Sequence, residues 1–208
     1  MDKPALRRFT LEIYCMLEYP EFIYDHYKVY PRLGDMDFEN LTCIDFGCGD
    51  YRSDVAKQVV QIPFKSLTSV EGYEKDFETM KNVVYKAKKH IPIFGDIVDV
   101  LPKLKGEYDI CLAFDVIEHL EKEEGLKLLK WIDKHVTKKS LLFVPEEPVG
   151  FHRVWDDGNK LQEHVSYWNQ EDFEKLGFTV ERMVNCHSDT ADGKEIRFDA
   201  LWVTKSLS

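Results

Sequence analysis

The residues best suited to chemistry are three acidic side chains, each at the end of a short apolar run. Asp45 precedes the glycine pair Gly47 and Gly49, Glu71 comes 26 positions after Asp45, and Asp96 follows a third run. A glycine pair after a buried strand lets a ligand approach the backbone and the start of the next helix. An acid that ends the second strand can accept hydrogen bonds from the two hydroxyls of a ribose. The spacing therefore predicts a pocket for a nucleoside-type ligand.

Three histidines are candidates for proton transfer beside this pocket. His119 follows a fourth apolar run, His152 lies in the aperiodic segment 145–162, and His164 comes just after that segment. Imidazole titrates near neutral pH, so it can remove a proton from a hydroxyl acceptor. For His119, a packing or helix-capping role remains an equal alternative.

Alternating elements must position these residues. Short apolar runs predict strands at 41–46, 67–72, 91–94, 108–114 and 140–144. Helical periodicity between them predicts helices at 53–61, 75–89 and 121–136. Continuously apolar strands are typical of a sheet that is covered on both faces, so this order predicts a parallel sheet between helices.

The last third of the chain follows a different pattern. A short helix is predicted at 170–176, and two extended runs at 178–187 and 195–204 flank Asp192-Gly193. An Asp-Gly pair between two such runs predicts an antiparallel hairpin. At the other end, the aromatic-rich residues 1–38 predict a helical cap, which packs on the core or covers a substrate pocket.

Composition limits the classes of partner. The chain has 208 residues, enough for one domain, and its 38 acidic and 28 basic side chains give a formal charge of -10. This charge disfavours nucleic acids and anionic membrane surfaces. Five cysteines without a Cys-x-x-Cys pair indicate free thiols in a reducing compartment, so we expect a cytoplasmic protein. Oligomeric state is left open.

On these motifs, the chain from about residue 38 to its end resembles the class I S-adenosylmethionine-dependent methyltransferases, in particular members that act on small molecules and glycans. The segment Phe114-Asp115-Val116-Ile117-Glu118-His119-Leu120 resembles a segment that is common after the fourth strand in this family. The resemblance implies a doubly wound, Rossmann-like α/β sheet of seven strands, mostly parallel, with an antiparallel strand in the C-terminal hairpin. The predicted division is an N-terminal helical cap, 1–38, on a core at 39–208.

The same resemblance implies S-adenosyl-L-methionine as cofactor, with a small-molecule or glycan acceptor that is methylated at oxygen. The second-strand acid would bind the ribose, and the acid after the third strand the adenine amine. The residues implied to bind the cofactor are Asp45, Gly47, Cys48, Gly49, Glu71, Gly72, Asp96, Ile97, Asp115 and Val116. Among the histidines, His164 is favoured as base because residues 158–168 resemble the loop before the penultimate helix in glycan and natural-product methyltransferases.

One departure and three alternatives accompany this interpretation. The family usually has a third glycine where this chain has Tyr51, which keeps open a cofactor-binding module without catalysis. Asp115, Glu118, His119 and His164 resemble the metal ligands of small-RNA 2'-O-methyltransferases, although no metal is expected here. A dinucleotide-dependent oxidoreductase would share the glycine turn and the ribose acid, but it would explain neither Asp96 nor the Glu118-His119 segment.

Overall fold

The computed structural model describes residues 28–146, 158–191 and 194–207. The strands are β1 (Thr42–Phe46), β2 (Ser66–Glu71), β3 (His90–Phe94), β4 (Tyr108–Phe114), β5 (Val136–Pro145), β6 (Thr179–Ala191) and β7 (Lys194–Ser206). The helices are α1 (Val29–Leu33), α2 (Asp54–Val60), α3 (Glu74–Met80), α4 (Ile97–Val100), α5 (Lys122–His135) and α6 (Gln170–Glu174).

The strands form one sheet in the order β3-β2-β1-β4-β5-β7-β6. The first five strands in this order are parallel, while β7 is antiparallel to both β5 and β6. The predicted fold class is therefore confirmed. A dinucleotide-binding fold has six strands in the order 3-2-1-4-5-6, so the antiparallel strand inserted beside β5 separates this chain from that class.

Both faces of the sheet are buried, as the continuously apolar strands predict. On one face, β1 and β4 pack against α5, and Phe46 meets Trp131 edge-on with ring centroids 5.4 Å apart. On the other face, Cys43 and Leu112 belong to a core that also contains residues of α1 and α2. Because both faces are buried, the ends of the strands, rather than the faces, are where a sheet of this kind can contact a ligand.

The helix predicted at 75–89 is wrong beyond Met80, where α3 ends. The following residues leave the helix because tertiary contacts satisfy them: Lys86 donates its backbone N–H to the Val60 carbonyl at 2.9 Å. The Tyr85 ring stacks on His90 with centroids 3.8 Å apart. Periodicity alone could not detect these contacts, since their partners lie on other elements.

Several predictions fall on residues that the structure does not describe. These are most of the N-terminal cap, the candidate base His152 and the turn Asp192-Gly193; the division into cap and core stays a prediction. Within the described ranges, no helix is long and apolar enough to cross a membrane.

Candidate functional site

The parallel strands end at a common level, and this brings the predicted residues together. Phe46, the last residue of β1, pairs with Val70 on β2 and with Ala113 on β4. Glu71, the last residue of β2, pairs with Phe94 on β3. The segments that follow β1, β2, β3 and β4 therefore meet at one edge of the sheet, where doubly wound folds bind their ligands.

The turn after β1 has three left-handed residues at alternate positions, since φ is +59° at Gly47, Gly49 and Tyr51. A Cβ at Gly47 would lie 2.6 Å from Cγ2 of Val116, so the turn touches the segment after β4. A Cβ at Gly49 would meet nothing within 4 Å. Gly49 therefore borders open space at the strand ends, as a ligand cradle requires.

Glu71 joins the turn to the second strand. Its Oε2 accepts from the backbone N–H of Gly49 at 2.8 Å, and its Oε1 accepts from that of Tyr73 at 2.7 Å. Burial raises the pKa of Glu71, while these backbone N–H groups lower it. These directed donors fix the position of the carboxylate, and carboxylate oxygens can each accept more than one hydrogen bond.

Asp45 lies under the turn rather than in open solvent. Its carboxylate is 2% exposed and accepts from the Tyr51 hydroxyl at 2.8 Å. Tyr51 is itself 3% exposed and packs in the core, although its backbone keeps the left-handed conformation of a glycine. The departure from the family motif therefore leaves the turn intact and directs the bulky side chain inward.

Asp96 and Gly72 form the far end of the edge. A Cβ at Gly72 would lie 3.5 Å from Cα of Asp96 and 2.8 Å from Cδ1 of Leu161. Asp96 caps α4, because its side chain accepts from the Val98 N–H at 2.9 Å. Leu161, which is 41% exposed, covers Gly72.

Beyond Val116, three potential ligand or base groups cluster. One side-chain atom each of Glu118, His119 and His164 lies within 4.8 Å of the other two. The two imidazole rings meet edge-on with centroids 4.6 Å apart. Glu118 and His164 are buried, at 2% and 8% exposure. Two imidazoles and a carboxylate in a site shielded from water can move a proton or bind a divalent cation.

Hydrogen bonds from a distant segment hold this cluster together. The N–H groups of Val165 and Ser166 both donate to the Glu118 carbonyl, at 2.9 and 3.1 Å. Trp168 donates its indole N–H to the Ile117 carbonyl at 3.1 Å. The same indole contacts α5, where a Cβ at Gly125 would lie 2.4 Å from its Cζ2. The segment that carries His164 is thereby fixed to the segment that carries His119.

The backbone also sets the tautomer of His119. Its Nδ1 lies 3.1 Å from the Glu163 carbonyl oxygen, which can only accept, so Nδ1 carries the proton. In the neutral ring the lone pair then resides on Nε2, which lies 3.9 Å from Oε1 of Glu118. A carbonyl that orients an imidazole in this way is common behind both catalytic and metal-binding histidines.

The structure thus brings most of the predicted site residues to one edge. Cys48 is buried within the glycine turn, and Ile97 begins α4 directly after Asp96. Asp115 is exposed after β4 with φ of +52°, and it donates its N–H to the Phe143 carbonyl at 2.9 Å. Their roles in binding stay predictions, as does that of His152.

Four contributors were missed from the sequence. Ser69 and His90 join the hydrogen bonds under the turn, Leu161 covers Gly72, and the Glu163 carbonyl orients His119. A serine and a histidine within strands carry no motif, and a carbonyl has no sequence signature. The apolar Leu161 in a polar stretch is the one signal that could have been noticed.

The solved structures that resemble the chain along most of its length include the following three. TehB from Haemophilus influenzae matches with a TM-score of 0.59 and 13% identity, covering 91% of this chain and 64% of that one. Magnesium protoporphyrin IX methyltransferase from Synechocystis PCC 6803, with bound SAH, matches with a TM-score of 0.56 and 15% identity, covering 86% and 80%. The N-terminal domain of EvdMO1, in the presence of SAH and D-fucose, gives 0.55 and 16%, covering 100% and 98%. No protein-family model and no curated protein matches the sequence.

Proposed function

We propose that the chain is a class I S-adenosylmethionine-dependent methyltransferase, because it shares the fold of these structures. Its acceptor is a small molecule or glycan, and the methyl group goes to an oxygen. The observation that carries the proposal is the junction of Glu71 with the glycine turn, next to the open space at Gly49.

The cofactor end of the crevice fits an adenosyl group. Glu71 presents a carboxylate whose position is fixed by two backbone donors, as recognition of ribose hydroxyls requires. Gly72 brings the backbone next to Asp96, whose carboxylate is proposed to accept from the adenine amine. Cys48, Ile97, Asp115 and Val116 line the rest of the proposed pocket.

Bound S-adenosylmethionine supplies a methyl group on a sulfonium, which an acceptor displaces in line. The chain must then orient the acceptor, exclude water and remove the hydroxyl proton. His164 is the proposed base because it is buried beside His119, whose Nε2 lone pair is oriented by the Glu163 carbonyl. Proton transfer to this pair would allow attack by an oxygen nucleophile.

Two observations support the proposed class of acceptor: the net charge of the chain and one similar solved structure. A formal charge of -10 repels polyanions, which favours neutral or cationic small molecules over nucleic acid. The EvdMO1 domain, studied in the presence of D-fucose, matches this chain over its whole length. A cytoplasmic location agrees with Cys43, Cys48, Cys111 and Cys186, which are free thiols.

Calorimetric titration with S-adenosylmethionine tests the cofactor, and a screen of sugars and small phenols with labelled methyl donor tests the acceptor. We expect micromolar binding that Glu71→Gln weakens. Glu74→Gln is the matched control, since Glu74 is an exposed carboxylate three residues away at the start of α3. Binding without transfer to any acceptor would favour the non-catalytic module, and loss of binding in neither variant would remove Glu71 from the site.

A second candidate is metal-assisted methylation of a hydroxyl. The observation that favours it is the cluster of Glu118, His119 and His164, whose ligand atoms lie within 4.8 Å of one another. Carboxylate and imidazole suit first-row divalent cations, and the carbonyl behind His119 fixes the neutral ring that a cation requires. A cation bound here would lower the pKa of an acceptor hydroxyl in place of a general base.

Titration with Mn²⁺ and Mg²⁺ separates the two candidates. Metal-assisted transfer predicts binding that Glu118→Gln weakens, and activity that a chelator abolishes and Mn²⁺ restores. Transfer that is insensitive to the chelator, but lost in His164→Ala, supports the general-base mechanism instead.

A further inference from the structure

A chain of hydrogen-bonded side chains runs beneath the glycine turn from β3 to β1. The Tyr51 hydroxyl lies 2.8 Å from Oδ2 of Asp45 and 2.7 Å from Oγ of Ser69. Nε2 of His90 lies 3.0 Å from the same Ser69 oxygen. The chain therefore links a half-buried histidine at the sheet edge to a buried carboxylate behind the turn.

The direction of donation follows from proton counting. An ionised carboxylate only accepts, so the single proton of the Tyr51 hydroxyl is donated to Asp45. Ser69 must then donate to Tyr51, which leaves the Ser69 oxygen to accept from Nε2–H of His90. Donors aligned in one direction polarise one another, and all of them favour a negative charge on Asp45.

Burial opposes that charge. It raises the pKa of Asp45 from 3.8 to about 7, while the Tyr51 hydrogen bond lowers it and the Glu71 carboxylate raises it. Burial also lowers the pKa of His90, so its ring is neutral at neutral pH. Among the described residues, the other titratable groups that act on Asp45, or on which it acts, are Cys43 on β1, Cys48 in the turn, Cys111 on β4 and Tyr85 after α3, whose pKa values burial raises.

A carboxylate that titrates near neutrality behind a ligand turn is poised to respond to a charged ligand. The donor S-adenosylmethionine carries a sulfonium cation, whereas the product S-adenosylhomocysteine carries a neutral thioether. Apart from the transferred methyl group and its charge, the two ligands have the same covalent structure. A fixed negative charge would therefore distinguish donor from product by charge alone.

We propose that Tyr51 is a positioning residue that keeps Asp45 anionic behind the glycine turn, so that the site prefers the sulfonium donor to the neutral product. The inference rests on the proposed function. Donor and product compete for one site, and a site that prefers the donor escapes inhibition by its own product.

The test measures the dissociation constants of both ligands by calorimetry between pH 6 and pH 8.5. The ratio of the product Kd to the donor Kd cancels protein groups that act equally on both ligands, and the titration of the ligands' own amino groups is the same for every variant. In the wild-type chain we expect this ratio to rise about tenfold over the range as Asp45 ionises. In Tyr51→Phe the midpoint should move up by about one pH unit, because Asp45 loses its donor.

Two further variants complete the design. Tyr85→Phe is the matched control: it removes the hydroxyl of a neighbouring tyrosine that donates to the Met80 carbonyl at 2.7 Å and lies outside the hydrogen-bonded chain. Its midpoint should equal that of the wild type. Ser69→Ala breaks the hydrogen-bonded chain one step behind Tyr51, and it should shift the midpoint in the same direction by less. If Tyr51→Phe fails to fold, the midpoint of Ser69→Ala tests the role of the hydrogen-bonded chain in its place.

A wild-type ratio that does not change with pH overturns the inference and leaves the proposed function intact. An equal midpoint in the wild type, Tyr51→Phe and Ser69→Ala overturns the role of Tyr51. If the wild-type chain binds neither ligand at any pH, both the proposed function and this inference are overturned.

Discussion

The two halves of the crevice are assembled in different ways. On the proposed cofactor side, neighbouring strands and the turn between them make the contacts, as when Glu71 accepts from the N–H of Gly49. On the proposed acceptor side, Val165, Ser166 and Trp168 come from more than 40 positions along the chain and donate to the carbonyls of Ile117 and Glu118. The first half is set by strand register, and the second by the docking of a separate segment.

The two halves are therefore vulnerable to substitution in different ways. Register is maintained by the whole sheet, so a substitution on the cofactor side should affect binding without moving its neighbours. The docked segment depends on a few hydrogen bonds, so a substitution there should affect turnover. The following predictions test that division.

The largest effect is expected for His164→Ala. Loss of a general base should lower turnover about 10²–10⁴-fold, with the Kd of S-adenosylmethionine unchanged, because the base acts only on the acceptor. Steady-state transfer assays and calorimetry measure the two quantities. His135→Ala is the control, since His135 lies at the opposite end of the sheet, where it contacts the Gly106 carbonyl. Equal losses in turnover and cofactor affinity would argue against the proposed role.

Asp45→Asn should change stability in a pH-dependent way. Because the pKa of Asp45 is raised to about 7 from 3.8, the folded chain binds the extra proton, and the stability that this gives is lost as pH rises from about 4 to 7. We therefore expect Asp45→Asn to gain stability over the wild type as pH rises. The free energy of unfolding of the variant minus that of the wild type should be larger at pH 8 than at pH 4 by at most about 4 kcal/mol. Urea unfolding at the two pH values measures it. A gain that is the same at both would contradict the assigned titration.

Glu71→Gln should weaken the cofactor more than it weakens the fold. Removing a charge-assisted hydrogen bond of about 1.5–3 kcal/mol predicts a Kd that rises about 10–100-fold. Turnover at saturating cofactor should stay close to that of the wild type. An unchanged Kd would show that the ribose binds elsewhere.

The smallest effect compares two glycines of the turn. Gly47→Ala and Gly49→Ala share the same strain, because φ is +59° at both, and this costs about 1 kcal/mol. Only Gly47→Ala also collides with Val116, 2.6 Å away, so it should cost about 1–3 kcal/mol more. Thermal unfolding compares the two, and equal losses would mean that Val116 moves aside freely.

The sequence predicts the half that is set by strand register better than the half that is set by the docked segment. The apolar runs and the glycine turn identified β1, β2, β3 and β4, and the strand-end acids that register brings together. Parallel strands must end at one edge, so sequence order alone was sufficient. The hydrogen-bonded chain under the turn was not predicted, because Ser69 meets Tyr51, and His90 meets Ser69, only through strand pairing and side-chain direction.

The proposed acceptor side was harder to predict from the sequence. His119 and His164 were both candidates, yet nothing in their spacing says that their rings lie 4.6 Å apart. That proximity comes from backbone N–H groups of residues 165 and 166 on a carbonyl of residue 118, and any residue type supplies such groups. For the same reason, the helix predicted at 75–89 ends early, where backbone contacts with another element replace it.

The contact of Gly125 with Trp168 links helix volume to the spacing of the two histidines. The indole ring fills the place of a side chain on α5, and its N–H holds the carbonyl of the residue before Glu118. A methyl group at position 125 would push the indole ring of Trp168 and, with it, the backbone segment that carries His164. The distance between His119 and His164 would then depend on the size of a residue on α5 that lies outside the proposed binding site.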